Sequence, residues 1–272
     1  GKARMRTVDV RIRSGRGYVS YPFQLTVPKN IEKPPLFLYL SFFPLSSAEI
    51  VEEITDNGFA VARVSYQDIA PDQNDGFQNG PGSLFPGNAY DSWGKLGVWA
   101  WGLSRIMDYL VQEETIDAGR VAVVGHSRLG KAALLCGAMD VRFSLVIACE
   151  SGAGGAALFR GKEGENVADL CRNFPYWFCG NFKKWQNREE ELPFDQHFTA
   201  ALAAPRHLYL AGAVDDEWAD PLSEFLTGQA VTPVYEMLGQ QGLAADRLPS
   251  AGDVFHEGRV GFHLRPGTHY MG

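Results

Sequence analysis

The amino-acid sequence predicts an α/β fold: a mostly parallel sheet with helices on both faces, a three-layer sandwich. Three observations carry that reading. Strand-length apolar runs alternate with segments of helical spacing along the 272 residues. One run, residues 35–40, is apolar throughout, as a strand buried on both faces requires. Another run leads straight into Gly125-His126-Ser127 and then into a helical segment.

In order, residues 35–40 and 59–64 read as strands. Between them, residues 46–57 have helical spacing, open on a serine and stop at Asn57-Gly58, which completes a β-α-β unit. Residues 67–89 are rich in Gly, Pro, Asn and Asp and read as a long surface loop. Apolar residues then recur at helical intervals over 91–112. A strand at 121–124 precedes the serine turn, and a helix is expected from Arg128 to Met139. Strands follow at 145–149 and 207–211, a helix at 221–239 and a last strand at 260–264. With no repeat and no linker, residues 1–272 read as a single domain.

Composition narrows the function. The chain carries 25 basic and 32 acidic residues, a net charge of −7, and no Lys/Arg stripe. Nucleic acid, which needs a concentrated basic surface, is excluded as a partner, and so is an anionic membrane. No apolar run approaches the ~18 residues that span a bilayer. The four cysteines form no CxxC pair and no zinc-like spacing with histidine, so buried thiols or a disulfide are both open, and no metal is expected. No phosphate loop or dinucleotide fingerprint is present, and no cofactor is expected. The chain is expected to be a monomer.

The chemistry concentrates at Gly125-His126-Ser127-Arg128-Leu129-Gly130. A sharp strand-to-helix turn lifts the Ser127 hydroxyl above the sheet edge, and the helix N-terminus favours a developing oxyanion. The usual spacing is GxSxG; here Leu129 holds the second glycine position and Gly130 follows. In α/β-hydrolases the acid and then the histidine come later in the chain. His269 lies on a turn after the last strand and is the candidate base, preferred over His256 and His263. His126 is expected to project away from the nucleophile. Two acids remain in play: Asp216, after the strand at 207–211, and Glu150, after the strand at 145–149.

These residues, taken together, resemble the glucuronoyl esterases of carbohydrate esterase family 15. Gly125-His126-Ser127-Arg128-Leu129-Gly130-Lys131 is similar to that family's G-x-S-R-x-G-K signature, which accounts for the displaced glycine. The resemblance extends through Trp99-Ala100-Trp101-Gly102-Leu103-Ser104-Arg105, Glu150-Ser151-Gly152-Ala153-Gly154-Gly155, Phe174-Pro175-Tyr176-Trp177-Phe178 and Asp195-Gln196-His197. It ends with Asp216-Glu217-Trp218 and Arg265-Pro266-Gly267-Thr268-His269. It implies hydrolysis of 4-O-methyl-glucuronoyl esters, which link xylan-borne glucuronic acid to lignin alcohols, by a secreted or periplasmic enzyme. Arg128 would then serve the oxyanion, Lys131 would contact sugar hydroxyls, and Glu165 and Trp218 would line the uronate pocket. The triad acid of the family is found at either strand end, and both are present here. The family's helix after the histidine has no counterpart before Gly272, and the lead-in to the first strands is short.

The residues themselves agree on one point. The segment Ser41-Phe42-Phe43-Pro44-Leu45 offers no glycine where other esterases take an oxyanion donor, so a side-chain donor at Arg128 would fill the gap. Lys131 lies one helical turn beyond Ser127 on the same face. Two other functions fit the same features: an acetyl xylan esterase with the same triad, and a non-catalytic carbohydrate-binding relative. Lys131 has nothing to hold on a bare acetyl group, and an intact Ser, His and acid set argues against the second.

Overall fold

A computed structural model of the chain describes every residue except 48, 49, 86, 89, 271 and 272. The first 28 residues form a hairpin of two long strands, β1 (Ala3–Ser14) and β2 (Gly17–Pro28), paired in register from Ala3 with Pro28 to Ser14 with Gly17. The sequence reading placed no strand before residue 35. The period-2 signal is nonetheless there: Val8, Val10 and Ile12 alternate with Asp9, Arg11 and Arg13, and Tyr21, Phe23 and Leu25 point into the core.

Next come β3 (Leu36–Ser41), α1 (Val51–Asp56), β4 (Ala60–Ser65) and a single helical turn, α2 (Tyr66–Ile69). Helix α1 is shorter than expected; positions 48 and 49 of the expected helix lie outside the described residues, as do residues 86 and 89 of the expected loop. That loop is more than surface. Ile69, Ala70, Pro81, Gly82 and Leu84 are buried, and Asp75 makes an ion pair with buried Lys95 at 2.9 Å.

The rest of the chain runs α3 (Lys95–Leu110), β5 (Val121–His126), α4 (Arg128–Met139), β6 (Leu145–Cys149), α5 (Val167–Asn173), α6 (Gln196–Ala201), β7 (His207–Ala213), α7 (Pro221–Met237), β8 (Val254–Phe255) and β9 (Val260–Arg265). Helices α5 and α6 were not read from the sequence. Both are short and start on polar caps, Asn166 and Asp195, inside segments of mixed composition.

The described strands form one sheet in the order β1-β2-β4-β3-β5-β6-β7-β9-β8. From β4 to β9 every neighbouring pair is parallel, while β1, β2 and β8 are antiparallel additions at the two edges. Helices lie on both faces, unequally. The larger core gathers α3, α4 and α7 side chains such as Trp99, Leu134 and Phe225 against Leu38, Val123 and Phe262. On the other face Tyr39, Val61 and Val124 pack with Val51 and Ile54 of α1. Parallel strands all end at one sheet edge, so the loops after β5, β6, β7 and β9 meet there.

Candidate active site

Ser127 sits between β5 and α4 with φ +57° and ψ −129°, a backbone that side chains other than glycine rarely adopt. The surrounding packing enforces it. A Cβ on Gly125 would stand 2.2 Å from the Leu129 carbonyl oxygen, so glycine is required there. Gly130 lies against the end of β6; a Cβ there would come within 3.0 Å of the Cys149 carbonyl oxygen and the Ser151 side chain. The second glycine is thus placed where α4 crosses β6, and Leu129 is free to be a fully buried core residue. The Ser127 N–H donates to the Cys149 carbonyl at 2.9 Å, locking the turn to β6.

His269 reaches the turn from the loop after β9. Its Nε2 is 2.8 Å from Ser127 Oγ, and its Nδ1 is 2.6 Å from Asp216 Oδ2. With Nδ1–H donated to the carboxylate, Nε2 is left as the acceptor facing the hydroxyl. The hydrogen bond to Asp216 raises the His269 pKa above its ordinary value, and the nearby charges of Asp216 and Glu150 add to this against the opposing effect of burial. For Asp216, burial works upward, but the His269 hydrogen bond, the ring's charge and the Ala219 N–H outweigh it, so the carboxyl lies below its usual range.

The structure brings both candidate acids to the ring, at different distances. Glu150 Oε2 is 3.6 Å from His269 Nδ1. Glu150 has φ +45° at the end of β6 and is occupied by other donors: Arg265 Nη2 at 2.5 Å, the Tyr270 N–H at 3.1 Å and His126 Nε2 at 3.1 Å. His126 does not project away from the site as the sequence suggested. It is buried, with its ring centroid 4.7 Å from that of His269. His126, Glu150 and His269 hold ligand-type atoms within 4.8 Å of one another, and the arrangement could in principle hold a cation. The hydrogen bonds just given already occupy those atoms, which makes the cluster a hydrogen-bonded network around the base.

Arg128 extends from the first residue of α4 into an aromatic box. Its guanidinium lies over the rings of Trp177, Phe174 and Phe42, at 4.9, 5.2 and 5.9 Å from their centroids. Nη1 donates to Asp72 Oδ2 at 2.6 Å, whereas Nε is buried without a partner among the described residues. Asp72 also accepts from the Trp177 indole N–H at 2.8 Å. The sequence reading missed Asp72 because it lies 56 residues before Arg128, in a segment read only as surface loop. The signal available was an arginine beside a nucleophile, which needs a counter-charge somewhere.

Lys131 is buried, and its ammonium donates to the Ser151 and Ala153 carbonyls at 2.8 and 2.6 Å and to Glu165 Oε2 at 2.8 Å. All three donors are therefore committed to protein. Glu165 is equally buried, and its N–H donates to the Trp218 carbonyl at 3.0 Å, which ties the Lys131–Glu165 pair to the loop that carries Asp216. Trp218 itself is half exposed rather than packed in the core. The four cysteines are free thiols; burial pushes Cys136 and Cys149 up to about 12.

A serine at a strained strand-to-helix turn, a histidine after the last parallel strand and an acid after β7 together define an α/β hydrolase. Comparison with known proteins narrows the class. The family described as "Glucuronyl esterase, fungi" matches residues 10–239. The carbohydrate esterase MZ0003, from an unknown prokaryotic organism, is 41% identical over 233 residues, which is 80% of this chain and 51% of that protein. A 4-O-methyl-glucuronoyl methylesterase of Podospora anserina is 38% identical over 194 residues, 67% of this chain and 40% of that protein. Among solved structures, the glucuronoyl esterase from Solibacter usitatus superposes with a TM-score of 0.89 at 37% identity, covering 99% of this chain and 78% of that one. The chain belongs to the glucuronoyl esterase family. It spans about half the length, or less, of these curated relatives.

Proposed function

We propose that the protein is a serine carboxylesterase that cleaves 4-O-methyl-glucuronoyl esters, the linkage between glucuronoxylan and lignin alcohols. One observation carries the reading: the continuous hydrogen-bonded line from Ser127 Oγ through His269 to Asp216. In this mechanism His269 Nε2 takes the Ser127 proton as Oγ attacks the ester carbonyl carbon. The carbonyl electrons move onto oxygen, which the N-terminus of α4 and the Arg128 side chain would stabilise. Collapse expels the alcohol, which receives its proton from His269. Water then attacks the acyl-enzyme by the same proton route and releases the uronic acid. Asp216 stays ionised and stabilises the imidazolium.

Lys131, Glu165 and Trp218 are assigned to the uronate. Because the Lys131 donors are taken, a sugar hydroxyl would displace the Glu165 carboxylate from one of them, the other two being backbone carbonyls. A polymer-borne ester is too large to enter a cell, so the proposed site of action is outside the cytoplasm, secreted or periplasmic. Among the described residues no helix is long and apolar enough to cross a membrane.

The test compares benzyl 4-O-methyl-glucuronate, benzyl glucuronate and acetylated xylan as substrates for one preparation, with Ser127→Ala as control. Uronate esters should be turned over and acetylated xylan should not. Ser127→Ala should lose at least about 10⁴ in kcat while keeping its Tm. Preferential release of acetate would move the assignment to an acetyl xylan esterase.

A further inference from the structure

The Asp72–Arg128 contact supports a step beyond that reading, and rests on its assignment of Arg128 to the oxyanion. A guanidinium has two nitrogen edges, and Asp72 takes only one. It accepts from Nη1, the nitrogen on the Cδ side, at 2.6 Å, while Nε is buried and has no partner among the described residues. The side chain as a whole is 30% exposed, so Asp72 leaves part of the group open. The ring faces of Trp177, Phe174 and Phe42 fix the plane of the group, and Asp72 fixes its rotation within that plane.

Asp72 is itself held. Its side chain is 5% exposed, its second oxygen accepts from Trp177 Nε1 at 2.8 Å, its N–H donates to Gln67 Oε1 at 3.0 Å and its carbonyl accepts from the Tyr176 hydroxyl at 3.2 Å. Three residues on, the buried Asp75–Lys95 ion pair anchors the same loop to α3. So the loop presents a rigid carboxylate to a rigid arginine before any substrate arrives.

We propose that Asp72 is a positioning residue for the oxyanion site, one that spends part of the Arg128 charge to fix the direction of its remaining N–H groups. Two consequences oppose each other. Removing the carboxylate strengthens the bare positive field at Arg128, but it releases the group to turn its donors away from the developing charge. Direction outweighs field here, because an oxyanion donor acts only at hydrogen-bond distance and because preorganisation is most of its worth.

The experiment is a double-mutant cycle with Asp72→Ala, Arg128→Ala and the pair, reading kcat and KM on a benzyl uronate ester. Asp72→Ala should lower kcat by about tenfold, a fraction of the roughly 10²–10³ expected for the donor itself, with KM within about twofold. In the Arg128→Ala background the same change should cost nothing further, since the group it aims is gone. Asp72→Asn keeps one acceptor oxygen for two donors, Arg128 and Trp177, and should fall between parent and Asp72→Ala. It also keeps the test open should Asp72→Ala fold poorly. An Asp72→Ala enzyme as fast as the parent overturns the proposal, as does a loss that multiplies unchanged in the Arg128→Ala background, which would mark a general structural role. If Arg128→Ala changes KM alone, the oxyanion reading fails, and the Asp72 proposal falls with it by a distinguishable route.

Discussion

Asp216 and Glu150 stand at the ends of adjacent parallel strands, both almost wholly buried and both within reach of one imidazole. They differ in what else holds them. Asp216 gives one oxygen to His269 at 2.6 Å and the other to a single backbone N–H. Glu150 is shared among Arg265, Tyr270 and His126 and stays 3.6 Å from the ring. A carboxylate orients a base with the lone pairs it has left over, so distance alone does not assign the role. Asp216 is poised to fix the tautomer; Glu150 braces the His269 loop through Arg265 and Tyr270 and adds negative charge at one remove.

The largest expected effect breaks the Asp216 side. In Asp216→Asn the amide NH2 would donate to Nδ1 and select the wrong tautomer, so kcat should fall by about 10⁴ with little change in Tm. A fall of under tenfold would make Glu150 the triad acid. Glu150→Gln should cost about tenfold, the size of a nearby-charge effect, but it should cost more when made in the Asp216→Asn enzyme, where Glu150 is the remaining carboxylate near Nδ1. Equal costs in the two backgrounds would show that the acids act independently.

The pH profile sharpens the same contrast. His269 must be neutral to accept the serine proton, and its pKa is raised, first by the Asp216 hydrogen bond. The acid limb of kcat/KM should therefore lie above the ordinary histidine value. Asp216→Asn removes the main stabiliser of the imidazolium and should move that limb to lower pH; Glu150→Gln should move it the same way by less. A limb that moves further in Glu150→Gln would reverse the ranking.

The smallest effect concerns a third acid, Glu224 on α7. It is fully buried and accepts from Ser151 Oγ and the Gly152 N–H, each at 2.9 Å, beneath the loop after β6. Burial raises its pKa to about 7, against hydrogen bonds that work to lower it. The unfolded chain loses this proton near the ordinary glutamate value, whereas the folded protein keeps it. Stability should thus decline as pH rises from about 4.5 towards 7, by up to about 3 kcal/mol. Glu224→Gln should flatten that part of the Tm–pH curve without moving the acid limb of activity. A parent Tm that is level across this range would show that Glu224 ionises normally.

How far the sequence foretold this depended on how local each cause is. The strand into Gly125-His126-Ser127 and the helix after it are set by neighbours in the chain, and α4 and β6 have the expected bounds. The physical reason for the displaced Gly130 shows only beside β6, where a Cβ would press against the carbonyl of Cys149, 19 residues on. His126 was given the wrong direction because its orientation depends on Glu150, which becomes its partner only when β5 and β6 pair. Asp72 was invisible for the same reason. The hairpin β1–β2 was missed because Arg4, Arg6, Asp9, Arg11 and Arg13 of β1 look like solvated chain until the apolar partners of β2 are set beside the residues between them.

That hairpin has a consequence for how copies of the molecule meet. β1 forms one border of the described sheet, twelve residues long, and a border strand of that length is an open template for pairing with a second copy. Along it stand Arg4, Arg6, Asp9, Arg11 and Arg13. Laid against a second copy, the strand would bring eight guanidinium groups to one seam against two Asp9 carboxylates, with each Arg6 already paired to Glu113 of its own chain. The arginines that obscured the strand in the sequence thus set like charges along a long, otherwise adhesive margin, a pattern that disfavours edge-to-edge pairing.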